Sequence, residues 1–318
     1  MDGPAHINDP DAGHSVMGDG GAQNGLVLGN PDTVHQIAPE FAMSVDVEDY
    51  FQVWAFSDVI DRSSWDGFAP RVETATRQCL EIFARHQVTA TFFTLGWVAE
   101  RFPGLVRSIV DEGHELASHG YDHQKIFDQT KDEFSEDVSR TKKILEDISG
   151  KGIVGFRAAG FSLDERSPWA YDVLASAGYK YSSSSHPIAH DHYGDPSAPQ
   201  GPHCPIDGDP FVEAPVATAT VLGRRISCAG GGWFRASPYA VSKALIKKSR
   251  QQTEGPLIFY FHPWEIDVDQ PRIASASPKS KLRHYLNLSR MVGKIENLAG
   301  EFRWGRIDHA LAPFGLHQ

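Results

Sequence analysis

Phe41-Ala42-Met43-Ser44-Val45-Asp46-Val47-Glu48-Asp49 is the stretch on which the fold turns. Residues Phe41–Asp46 read as a short strand, and the chain then runs at once into acids at Asp46, Glu48 and Asp49. A solvated acidic loop is common after a strand. It explains less well why carboxylates follow an apolar strand so abruptly. The alternative is a functional group placed at a strand's C-terminal end.

Outward from this strand, strand-like and helix-like segments alternate. Val72–His86 carries Val72, Ala75, Cys79, Ile82 and Phe83 at helical spacing. Val88–Leu95 is β-branched and aromatic, a buried strand. Pro103–Glu112 reads as a helix stopped by Gly113, and His114–Ser118 as a short strand. Lys131–Ser149 repeats Phe134, Val138, Leu145 and Ile148 along one face and stops at Gly150. Ile153–Arg157 is the next strand. Ser167-Pro168 opens a helix that ends at Gly178. Later strands are predicted at Phe211–Ala217 and Leu257–His262, and further helices open at Ser237-Pro238 and Ser280. Such alternation builds a parallel sheet covered by helices, and six or more units fit a barrel better than an open sheet. In a parallel barrel the chemistry sits at the C-terminal ends of the strands.

Four polar clusters meet that rule. They are Asp46–Asp49, Ser118–His123, Arg157 and His262–Glu265. His119 and His123 stand four apart, a spacing that on one helical turn aims two imidazoles at one metal. The plainer reading is two surface histidines near a loop. A carboxylate from another strand end completes a three-ligand site, which suits zinc or another borderline divalent ion. In the acidic group one carboxylate can ligate while another serves as base. Arg157 is either a surface arginine or the partner of a buried carboxylate, held ionised by a permanent charge. His262 leaves Phe259-Tyr260-Phe261 at a strand end, where it is a structural histidine or a general acid. Gly230–Gly232 lets a loop approach closely. The aromatic faces of Trp233, Phe234 and Trp264 suit the wall of a binding cleft, against the competing reading of core packing. Lys281, Arg283 and His284 read as a solvated helix face.

Composition bounds these readings. The chain has 318 residues, 41% apolar and 22% charged, with a net charge of -11 that disfavours nucleic acid and anionic membrane as partners. Its 3 cysteines, Cys79, Cys204 and Cys228, form no C-x-x-C pair, so neither a disulfide framework nor a thiolate zinc site is indicated. No apolar run is long enough to span a bilayer, and no basic-then-apolar secretory signal opens the chain, so a cytoplasmic location is expected. Residues 1–38, rich in Gly, Asp, Asn, His and Pro, read as a disordered leader carrying His6, His14 and His35. Residues 39–318 read as a single catalytic domain with a C-terminal helical extension.

The four clusters, in this order, resemble the polysaccharide deacetylases of carbohydrate esterase family 4. The second family motif stands here as Ser118-His119-Gly120-Tyr121-Asp122-His123, with Gly113-His114-Glu115 ahead of it. The first motif is Ser44–Phe51, whose spaced acidic pair resembles the exosortase-associated branch of exopolysaccharide gene clusters. Gly155–Ala158, Gly230–Arg235, Phe259–Asp267 and Arg283-His284-Tyr285 with Asn287 match that branch further. Ala159 departs from it, standing where a proline is usual. The resemblance covers residues 41 to 290 and implies an α/β fold, a distorted parallel (β/α) barrel of about seven strands. It implies hydrolysis of N-acetyl groups on a glycan with a divalent ion, Zn2+ or Co2+. Asp46 is then the base, held by Arg157. His119, His123 and either Glu48 or Asp49 ligate the metal, and His262 is the acid. A strand continuing past Asp46 favours Glu48, and a bend there favours Asp49. Two rivals share the scaffold: an amidohydrolase that opens a small cyclic ureide, and a carbohydrate-binding protein without turnover.

Overall fold

The computed structural model describes Met1, residues 38–190 and residues 193–316. The leader expectation, with His6, His14 and His35, lies outside the described residues. The strands among the described residues are β1 (Phe41–Val47), β2 (Thr91–Thr94), β3 (Glu115–Ser118), β4 (Gly155–Phe156), β5 (Tyr181–Ser182), β6 (Val212–Glu213), β7 (Thr218–Val221), β8 (Arg224–Ser227), β9 (Leu257–Phe261) and β10 (Trp304–Gly305).

β1 is the centre of the sheet. Val45 pairs with Phe261 of β9 and also with Phe92 of β2, so these strands lie on opposite edges. β10 takes the start of the β2 edge, opposite Phe41 and Ala42. From β2 the pairing runs through β3, β4 and β5 to β6, parallel throughout. Just past β6, Val216 forms a parallel bridge to Ile258 of β9 and brings the curled sheet round. The expected α/β fold is therefore present: β1 to β6 and β9 make the seven strands of a curled parallel half-barrel, and β10 adds an eighth beside the start of β1. β7 and β8 form a separate antiparallel hairpin.

Every residue of β1 is buried. Strand side chains alternate, so Ser44 and Asp46 share one face; the guanidinium of Arg157 bonds to both. Val72–His86 and Lys131–Ser149 cover the sheet as predicted. The second starts at a reciprocal cap between Thr130 and Glu133 and ends at Gly150, which is left-handed at φ 65°.

Several expectations shift. The strand predicted over 211–217 shortens to Val212–Glu213, and the helix after Ser167-Pro168 begins at Ala170. The helix placed at Ser280 begins at Pro278, because Ser277 accepts the Ser280 N–H as its cap. His284 is buried against Phe56, with ring centroids 4.6 Å apart, and is not on a solvated face. Among the described residues no helix is long and apolar enough to cross a membrane.

Buried neutral histidines couple this fold to pH. His114 Nδ1 accepts the Ala90 N–H at 3.1 Å, and its ring lies 4.9 Å from that of Phe92. Burial, reinforced by the charge of Arg306, pushes its pKa down to about 4. Burial likewise pushes His186 down to about 3. A depressed folded-state pKa contributes stability that is complete above the unfolded value of about 6.5 and is lost as pH falls toward the folded one. The urea midpoint is therefore expected to fall between pH 6.5 and 4, and His114→Gln is expected to flatten that slope. An unchanged slope would remove His114 as its source.

Candidate metal and active site

The residues singled out at strand ends converge at the C-terminal rim of the barrel. Past β1 the chain turns sharply, with Glu48 N–H bonded to Asp46 C=O at 3.0 Å. This turn leaves Asp46 and Glu48 pointing into the site and carries Asp49 away from it. Asp49 Oδ2 accepts the N–H groups of Arg71 and Val72 at 2.7 and 2.9 Å, and Oδ1 accepts that of Tyr50. It thus holds the N-terminus of helix Val72–His86. Of the two carboxylates left open by the sequence, the structure brings only Glu48 to the histidines.

One donor atom from each of Glu48, His119 and His123 lies within 4.8 Å of the others. Glu48 Oε2 is 2.8 Å from His123 Nε2. The helical turn expected for the histidines is absent. Residues 119–123 form a loop in which Gly120 at φ 73° and His123 at φ 60° are both left-handed, and this path turns the two rings toward each other. His119 Nδ1 lies 2.9 Å from the carbonyl of Arg157. A carbonyl only accepts, so Nδ1 carries the proton and Nε2 keeps its lone pair for a metal. Burial, with the neighbouring charge of His123, pushes His119 down to about 4, so the ring is neutral at pH 7. Burial disfavours charge on Glu48, but His123, His262 and His119 outweigh it and hold the carboxyl well below its usual range. Glu48 is buried, and the partner of its Oε2 is the His123 ring. Two imidazoles and one ionised carboxylate, converging within 4.8 Å, fit a borderline divalent ion.

Beside this group, Asp46 Oδ1 lies 2.7 Å from the fully buried guanidinium of Arg157. The remaining nitrogens of Arg157 bond to Ser183 C=O and Ser183 Oγ, both at 2.8 Å, while Phe93 lies under its plane at 4.1 Å. The departure at Ala159 leaves the arginine firmly placed, because the Ser183–Ser185 segment holds it from the neighbouring strand. Glu213 in turn fixes that segment by accepting the N–H groups of Ser184 and Ser185.

His262 Nε2 lies 3.8 Å from Asp46 Oδ2 and 3.5 Å from Glu48 Oε1. Its Nδ1 lies 2.7 Å from Glu265 Oε1, and Glu265 is itself paired with the buried Arg235. Burial alone would lower the pKa of His262. The charges of Glu48, Glu265 and Asp46 outweigh it and push the ring up to about 9, so it is protonated at neutral pH. In the sequence Glu265 stands out only as the end of the His262–Glu265 cluster, and Arg235 only within a longer matching segment. Their pairing spans 30 residues, and no local pattern marks it.

The three aromatic residues expected in the cleft part company. Phe234 is buried edge-on against Phe259, with centroids 5.0 Å apart, and Trp264 is 7% exposed. Neither faces an open groove: Phe234 packs in the core, and Trp264 lies against the His262 and His284 rings. Trp233 is 43% exposed and lines a cleft of about 560 Å³ with Tyr193 and Trp54. A smaller hollow that includes His123 shares Trp54 and Ser57 with this cleft, so the two adjoin beside His123.

Residues 63–182 match the family model of polysaccharide deacetylases, and residues 183–312 match a domain of unknown function, DUF3473. The two matches meet at the end of β5, inside one continuous sheet. Asp46 and Glu48 precede both, His119, His123 and Arg157 fall in the first, and His262 falls in the second. Over 75 residues the chain is 37% identical to a peptidoglycan-N-acetylglucosamine deacetylase of Bacillus cereus, covering 24% of this chain and 27% of that relative. The chain spans less than half the length of the curated relatives it matches. Among solved structures, a putative polysaccharide deacetylase from Mycobacterium smegmatis aligns with a TM-score of 0.53 at 19% identity, over 87% of this chain and 92% of that one. A Puue allantoinase aligns with a TM-score of 0.55 at 14% identity, over 87% and 91%. These two likenesses establish a shared fold. The matches over residues 63–182 support the polysaccharide deacetylase family.

Proposed function

We infer that the chain is a metal-dependent polysaccharide deacetylase, with residues 39–318 acting as one catalytic domain that removes N-acetyl groups from a glycan. The observation that carries this reading is the meeting, at one barrel rim, of the Glu48–His119–His123 group, the Asp46–Arg157 pair and the protonated His262. Glu48, His119 and His123 would hold a divalent ion, Zn2+ being best suited to two imidazoles and a carboxylate. Bound there, the ion lowers the pKa of water and polarises the acetamide carbonyl.

The protein's own groups handle the protons. Asp46 accepts one from the attacking water, and Arg157 keeps the Asp46 carboxylate ionised and turned into the site. As the water oxygen bonds to the carbonyl carbon and the C–N bond breaks, His262 Nε2 delivers a proton to the leaving amine. Glu265 holds the opposite ring nitrogen throughout. Acetate and a sugar amine result.

The cleft beside the site favours a glycan over a small cyclic ureide, because Trp233 presents an aromatic face to solvent where a neighbouring sugar ring can stack. The resemblance of the first and last motifs to the exosortase-associated branch points to an exopolysaccharide as that glycan. Zinc-loaded protein is expected to release acetate from N-acetylglucosamine oligomers. Sugar binding without acetate would leave the binding-protein reading standing, and ring opening of a cyclic ureide in place of acetate release would favour the other rival.

A further inference from the structure

We propose that Trp264 is a positioning residue for the metal ligand Glu48: its indole N–H occupies Oε1 and so commits Oε2 to the ion. This rests on the metal-dependent reading above. Trp264 Nε1 donates to Glu48 Oε1 at 3.1 Å across 216 residues of chain, and both side chains are buried. Oε2, the other oxygen of the carboxylate, has His123 Nε2, a proposed ligand of the same ion, as its neighbour at 2.8 Å. A buried carboxylate with one oxygen held by a fixed donor has one oxygen and one orientation left to offer.

The indole is itself stacked by two imidazoles. The His284 ring stacks on it with centroids 4.1 Å apart and planes at 14°, and the His262 ring lies on it at 5.1 Å and 21°. His284 Nε2 lies 2.6 Å from Gln270 Oε1, and the Gln270 amide nitrogen donates to Trp264 C=O and Asp267 C=O. The plane of the indole, and hence the direction of its N–H, is set by this clamp. Pro263–Ile266 is a single 3-10 turn, so the same turn aims Trp264 at Glu48 and Glu265 at His262. Fixing the ligand and fixing the proton donor are thus one local structure.

The test is the zinc affinity of the full chain at pH 7, by competition with a chromophoric chelator. Trp264→Phe keeps the stacked ring and removes the N–H, and is expected to weaken zinc binding by about 10–100-fold. Replacing Trp264 with benzothienylalanine, a sulfur isostere that fills the same space without the N–H, is expected to give the same loss without the change in packing that phenylalanine brings. It keeps the test valid if the phenylalanine variant folds poorly. Combined with Glu48→Gln, loss of the N–H should add little further, because its effect passes through that carboxylate. Wild-type affinity in both Trp264 variants would overturn the proposal while leaving the metal site intact. A wild-type protein that binds no zinc would overturn the metal-dependent reading itself, and this proposal with it.

Discussion

Asp46→Asn is expected to lower kcat on an N-acetylated glycan by about 10²–10⁴-fold, the usual contribution of a general base, with the metal retained. The substitution changes one oxygen for an amide nitrogen and leaves Glu48, His119 and His123 in place. It removes the basic site near Nε2 of His262, 3.8 Å from Asp46 Oδ2. It also leaves the Arg157 guanidinium buried against a neutral group. Losing one member of a buried ion pair costs about 3–5 kcal/mol when nothing replaces it. Here the amide oxygen can still accept from Arg157, so the loss of stability should fall below that range. Parallel measurement of kcat, zinc per chain and urea midpoint separates the effects. Turnover near the wild-type rate with normal zinc content would remove Asp46 from the role of base.

His119→Ala is expected to remove both zinc and activity. The His119 ring is ordered by its bond to the carbonyl of Arg157 and is kept neutral by burial, which leaves the Nε2 lone pair open to an ion. Alanine leaves one imidazole and one carboxylate, too few for a three-ligand catalytic site. Without the ion, several kcal/mol of transition-state stabilisation disappear, and at about 1.4 kcal/mol per factor of ten this amounts to three or more orders of magnitude in rate. A chelator should reproduce this loss in the wild type, and added zinc should reverse it there but not in the variant. Elemental analysis of both proteins reads the first half of the prediction, and acetate release reads the second. Full zinc content in His119→Ala would place the ion elsewhere.

The sequence by itself determined the alternation that builds the sheet and the residue types at the strand ends. An apolar strand, a stop at glycine and a helical period are properties of neighbouring residues, so they can be read along the chain. The rule that a parallel barrel works at its C-terminal rim then selected Asp46, His119, His123, Arg157 and His262, and the structure brings all of them together. What local pattern could not decide was direction. Both Glu48 and Asp49 follow β1. Only the turn at Asp46 and the demand of the next helix for an acceptor at its N-terminus send Asp49 out of the site. The spacing of His119 and His123 suited a helical turn, yet left-handed residues in a loop produce the same convergence. Trp233, Phe234 and Trp264 look equally suited to a cleft in one dimension. One faces solvent, one fills the core and one reaches a carboxylate 216 residues away. Burial and hydrogen-bond partners depend on which distant segments pack together, and that is decided only when the sheet closes.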